Sequence, residues 1–268
     1  MFYSLVVVAS LACPVYAYVA GVTAAQLIVA GVWYFATGLG ITVGYHRLVT
    51  HRSFRCHPVI ELVLLAFGAA AFQGSAMAWA ADHLQHHAHV DDELDPHSPR
   101  HGFWYAQWGW FFRRRAPRRP PPRHLLDHAL VRWQHRWFFP LGLAVGVVVP
   151  YLIAGVGGAL LAGPVRTLLL IHTTGFVNSL AHMGKRRTWQ PAASATDSVF
   201  VAVVAFGEGW HSYHHRFPRD YRLGARWWQW DPGKWLVWSL ASVGLADELR
   251  RADPAHQALA PEPAQEHA

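Results

Sequence analysis

Nineteen histidines stand in this chain of 268 residues, and eight of them fall into three short clusters. The stretch GEGWHSYHHRFP holds His211, His214 and His215 as H-x-x-H-H. DHLQHHAH repeats that spacing with His83, His86 and His87, and GYHRLVTHRSF sets His46 five residues before His51. On a helix, positions i, i+3 and i+4 share one face, so each H-x-x-H-H turns three imidazoles the same way. His182 ends an apolar segment one helical turn after Asn178, which adds a ninth imidazole and an amide oxygen. One structural metal ion takes about four ligands, so nine imidazoles suit two ions with four or five each. Imidazole serves Zn, Cu, Fe and Ni alike. An all-nitrogen set without cysteine beside apolar helices fits iron used for oxygen chemistry, although spacing alone does not choose the metal. Cys13 and Cys56 form neither a metal spacing nor a disulfide framework.

The elements that must position these clusters are apolar. The chain is 53% hydrophobic and only 15% charged, with 14 Trp. Residues 1–45 carry no charged side chain, a length sufficient for two crossings of about 20 residues each. Transmembrane helices are expected at about 2–20, 24–45, 137–156 and 160–181, with turns near Gly21–Thr23 and Gly155–Gly158. Residues 58–81 are apolar, but metal-binding clusters flank them on both sides. If those clusters share one centre, the segment is re-entrant or interfacial rather than crossing. The cap would then be 46–136 and 182–253, with a disordered tail at 254–268. Nearly all Lys and Arg lie outside the two hairpins, which places both termini and the histidines on the cytoplasmic side. The net charge of +7 permits contact with anionic headgroups or substrate phosphates. The apolar runs argue against nucleic acid as a partner.

GITVGYHRLVTHRSF, DHLQHHAHVDDELDPHSPRHGF, NSLAH and GEGWHSYHHRFPRDYR, in that order, resemble the histidine boxes of membrane fatty-acid desaturases. The similarity is to the Δ9 acyl-CoA (stearoyl-CoA type) group and its bacterial relatives, from about Gly38 to Ala246. The resemblance implies an all-α integral membrane protein with four transmembrane helices under a cytosolic helical cap that holds a di-iron centre. It implies a bacterial inner membrane as the location and a 1–253 desaturase domain. The implied iron ligands are His46, His51, His83, His86, His87, His182, His211, His214 and His215, with Asn178 acting directly or through water. The implied activity is O2-dependent insertion of a cis double bond, Δ9, into a C16–C18 acyl-CoA or acyl-lipid. Electrons would come from a separate ferredoxin or flavoprotein reductase.

The same resemblance implies that Trp79, Gln73 and Thr174 line the acyl channel. Tyr34 and Gly38 would close its end, with the small Gly38 leaving room for a long chain. Glu208 and Asp95 are expected to orient ligand imidazoles. Three departures touch the headgroup and donor surfaces: Gln107 where relatives have His, Gly175 where they have Trp, and an altered 184–189 loop. Two other readings share the histidines. A membrane di-iron hydroxylase or ketolase would handle the substrate radical differently. A His-rich metal transporter would need polar groups within the bilayer, and the first hairpin is nearly free of them.

Overall fold

The computed structural model describes residues 2–184, 188–190 and 192–253. The tail expected at 254–268 and part of the 184–189 loop lie outside the described residues. The chain begins with α1 (Phe2–Ala20) and turns at Gly21, whose φ of +72° suits glycine. α2 (Ala24–Leu39) starts in a capping box, with Thr23 and Gln26 each accepting the other's backbone N–H. It runs without interruption into a π-helix, Gly40–Thr50. The helix expected to end at 45 therefore reaches Thr50, and it carries His46 within it rather than at its end.

Residues 58–81 form two helices instead of one segment. β1 (Arg55–Cys56) leads into α3 (Pro58–Ala70), and Ser75 caps α4 (Ala76–Ala88). Between them the chain turns through Phe72 at φ +56° and Gly74 at φ +96°. The end of α3 falls among apolar neighbours, where free carbonyls need partners. Arg166 supplies one, donating from Nη1 to the Ala70 carbonyl at 2.7 Å. Gln134 serves the start of α4, accepting from the Ala76 amide and donating to the Tyr45 hydroxyl. Close approach of α3 to the π-helix requires glycine: a Cβ on Gly40 would overlap the Gly68 backbone.

The cap continues through a π-turn at Tyr105–Gly109, α5 (Trp110–Phe112) and α6 (Arg123–Asp127). The second apolar pair contains α7 (Ala129–Leu143), α8 (Val149–Leu160), α9 (Arg166–Asn178) and α10 (Leu180–Met183), joined by short π-turns. Helical geometry breaks at Ala154 and Gly155, and the chain folds back there, so that Gly163 lies against Val147. The runs Ala24–Thr50 and Ala129–Met183 are each long and apolar enough to cross a membrane, the second as a folded pair. Ile28, Val32, Leu152 and Leu169 on these runs are exposed and apolar, and the exposed Arg132 and Arg136 lie near the start of the second.

α11 (Val199–Val204), α12 (His211–Arg216) and α13 (Pro232–Ser242) complete the cap. β2 (Ala246–Asp247) then pairs antiparallel with β1. The described residues are thus mostly helical, and β1–β2 is a two-residue ribbon beside the helices. Leu236, Leu240 and Val237 of α13 pack with Leu39, Val43 and Leu64, so α13 lies across the ends of α2 and α3.

Candidate metal centre

The π-helix solves a problem that the spacing of His46 and His51 poses. Five residues on an α-helix turn through about 500°, leaving the two side chains about 140° apart. The wider i to i+5 turn brings them round: the His51 amide donates to the His46 carbonyl at 3.0 Å, and the ring centroids stand 4.9 Å apart. On α4 and α12 the H-x-x-H-H spacing needs no such device.

All nine imidazoles converge, and they divide into two sets. His46, His51, His83, His87 and His214 form one; His86, His182, His211 and His215 form the other. Within each set the ligating nitrogens lie within 4.8 Å of one another. The sets adjoin where the rings of His87 and His215 stack with centroids 4.3 Å apart.

The outward nitrogens fix how the rings face. His46 donates from Nδ1 to Glu208 at 2.8 Å, and His86 does the same to Asp95 at 3.0 Å. His182 Nδ1 donates to Ser194 Oγ at 2.7 Å, and the Ser194 hydroxyl donates to Asp91. A neutral imidazole has one N–H, so each of these three presents a bare Nε2 lone pair inward. Burial first, then the neighbouring histidines, pushes His51, His83, His87, His182, His211, His214 and His215 well below the ordinary imidazole range. The nine imidazoles thus pack against one another with their nitrogens gathered in two groups.

That arrangement fits metal. His87 Nε2 lies 3.0 Å from His83 Nε2 and 2.9 Å from His214 Nε2. His211 Nε2 is likewise shared, 2.9 Å from His182 and 3.0 Å from His215. One N–H cannot serve two nitrogen partners, whereas an ion between them serves every lone pair.

Asn178 does not join either set by hydrogen bond but faces both through two cavities. One, of about 190 Å³, is lined by Gln73, Trp79, His83, Thr174 and Asn178, with Asp82 and Arg118 at its polar side. The second, of about 40 Å³, shares Trp79, His83, Thr174 and Asn178 and runs on to Gly38 and Phe206. Gln73 Nε2 donates to Thr174 Oγ1 at 2.9 Å across the shared wall. Tyr34 lies behind Phe206, ring centroids 5.2 Å apart, and its hydroxyl donates to the Val204 carbonyl. Space beside Gly38 is not free, because a Cβ there would overlap the Phe206 ring.

Several supporting groups have no local sequence signal. Asp91 and Ser194 behind His182 are 103 residues apart in sequence. Arg47 is buried against Asp231 at 2.6 Å and donates also to Thr42, whose hydroxyl donates to Glu208. His97 is buried beside Asp95 and the His86 ring, and burial pushes it down to about 3. His86 and His97 hold Asp95 well below the carboxylate range although burial opposes them. His172 is exposed. Two departures prove to be one contact: the Gln107 carbonyl sits where a side chain at Gly175 would be. Gln107 then binds α9 at both ends of its amide, donating to the His172 carbonyl and accepting from Ser179.

Comparison with known proteins agrees with this centre. Residues 15–242 match the family profile described as fatty acid desaturase. The chain is 40% identical over 232 residues to a probable acyl-CoA desaturase of Schizosaccharomyces pombe, covering 83% of this chain and 48% of that protein. It is 37% identical to acyl-CoA desaturase 1 of Saccharomyces cerevisiae, covering 82% and 45%. Against the sn-1 stearoyl-lipid 9-desaturase of Anabaena variabilis it is 36% identical, covering 82% of each. The chain thus spans about half the length of the fungal relatives it matches.

Proposed function

Because the chain belongs to the fatty acid desaturase family, we propose that it introduces a cis double bond, Δ9, into a C16–C18 acyl chain carried on CoA or on a lipid. The observation that carries this reading is the pair of inward-facing imidazole sets beside an apolar cavity. In this reading His46, His51, His83, His87 and His214 hold one iron. His86, His182, His211 and His215 hold the other, with Asn178 beside it. Two hairpins, α1–α2 and about 137–181, make four crossings, and the cap with both termini is cytoplasmic, in a bacterial inner membrane. Support for this comes from the uncharged outward faces and the basic residues gathered beyond the hairpins.

Iron, when bound, supplies an oxidant from O2 and two electrons that removes one hydrogen from each of two adjacent methylenes, the oxygen leaving as water. The chain's own residues do the positioning. Glu208, Asp95 and Ser194 hold His46, His86 and His182 in the tautomer that leaves Nε2 free. Trp79 and Thr174 wall the cavity on the substrate side, and Gln73 closes it by its bond to Thr174, so the acyl chain passes in a dry, fixed path. A separate ferredoxin or flavoprotein reductase supplies the electrons.

The test is the fatty-acid profile of a host expressing this chain beside its His87→Ala variant, with double bonds located by mass spectrometry. A cis-Δ9 monoene made only by the unaltered chain is expected. A hydroxy or keto product would replace the desaturase reading with a hydroxylase or ketolase.

A further inference from the structure

The inner cavity ends at a side chain that reading α2 alone does not reveal. Past His83, His86, His211 and Asn178 the cavity narrows to Gly38, Ile41, Leu170, Ala205 and Phe206. Gly38 provides no empty room there, since the Phe206 ring fills the position its Cβ would take. The ring is buried and held on its far side by Tyr34 and Phe35, at centroid separations of 5.2 and 5.4 Å. Tyr34 is fixed in turn by its hydrogen bond to the Val204 carbonyl.

The backbone is as constrained as the ring. Phe206 has a φ of +56°, uncommon for a bulky residue. The turn that imposes it is closed by Gly207 N–H to the Ala202 carbonyl at 2.7 Å and by Glu208 N–H to the Ala205 carbonyl. Glu208 accepts from His46 two residues later. One short turn therefore fixes both a metal-facing imidazole and the wall at the cavity's end.

We propose that Phe206, and not Gly38, stops the methyl end of the acyl chain and sets the accepted length. This rests on the desaturase reading. The stop and the ligand support share one turn, so the separation between the reacting carbons and the chain end is built into residues 205–208. Shortening the ring extends the cavity toward Tyr34 and admits longer chains.

The experiment uses full-length protein in membranes with a reconstituted electron donor and an equimolar mixture of C14, C16 and C18 acyl substrates. One methylene in an apolar pocket is worth about tenfold or more in discrimination, so Phe206→Ala should raise the C18:C16 product ratio by at least about tenfold. Phe206→Leu should fall between. Thermal shifts on adding C16 or C18 acyl chains to each purified variant give the same comparison without turnover. Gly38→Ala should lower turnover on every chain length, and adding Phe206→Ala should restore it. An unchanged length preference in both product ratio and thermal shift would overturn the proposal and leave Phe206 a packing residue. No double bond from any substrate would overturn the desaturase reading, and this proposal with it.

Discussion

The two imidazole sets differ in number, burial and support. The larger has five members, of which His83 and His87 are only partly buried. The smaller has four, all buried. Only His46 of the larger set reaches a carboxylate directly, through Glu208. In the smaller set His86 reaches Asp95 and His182 reaches Asp91 through Ser194. Asn178 lines the cavity that also touches His86 and His211. The set with fewer imidazoles is thus the more firmly braced and lies beside an uncommitted amide. On the di-iron reading, a metal held by the smaller set would have room for the Asn178 amide, a water or O2, and one held by the larger set would have less.

The strongest test of this contrast is metal content. His215→Ala leaves the smaller set with three imidazoles and should lower bound iron from about two per chain to about one, abolishing turnover. His51→Ala leaves four in the larger set and should retain nearly two irons while turnover falls. Equal iron loss in the two variants would remove the distinction. A smaller effect is expected from the braces. Asp95→Asn should weaken metal retention by about 10–100-fold, as loss of a group that orients a ligand does. Glu208→Gln should do less, because one imidazole in five is affected; competition with a chelator measures both.

The scaffolds behind the two sets should respond in the same graded way. Arg47 lies in the π-helix beside His46 and is paired with Asp231, both side chains almost wholly buried. Arg47→Met strands a buried carboxylate and should destabilise by about 3–5 kcal/mol in detergent-solubilised unfolding. Behind the smaller set, Asp197 accepts from the Ser212 amide at the start of α12, where Trp210 offers no side-chain cap. Asp197→Ala should be milder, about 0.5–2 kcal/mol.

What the amino-acid sequence reveals depends on whether a feature is local. The two H-x-x-H-H stretches were legible because an α-helix turns that spacing to one face, and α4 and α12 are α-helices. His46 and His51 were found by type, but their shared direction depends on a π-helix that no local pattern announces. Gly74 and Ser75 are a turn glycine and a helix cap, so the break between α3 and α4 was written in the sequence although hydropathy alone merges them. Phe206 and Gly38 are different in kind. Each is unremarkable in its own segment, and only their contact, 168 positions apart in sequence, decides whether the space is open. The same holds for Gln107 and Gly175, which look like two independent departures and are one interface.

The Arg166 contact has a consequence for how this protein is made. A charged residue near the centre of a crossing helix costs about 2.5–3.5 kcal/mol on insertion scales. Its guanidinium is met by the carbonyl oxygens of Ala162, on its own helix, and Ala70. Ala70 leaves the ribosome long before Arg166 does. On the four-crossing reading, the turn after α3 must already be tucked among the helices when the last arm enters the bilayer. Insertion of that arm then becomes a checkpoint on the earlier half of the chain: a nascent protein with a misplaced α3 presents its final hairpin with an unmatched charge and is exposed to quality control before any metal arrives.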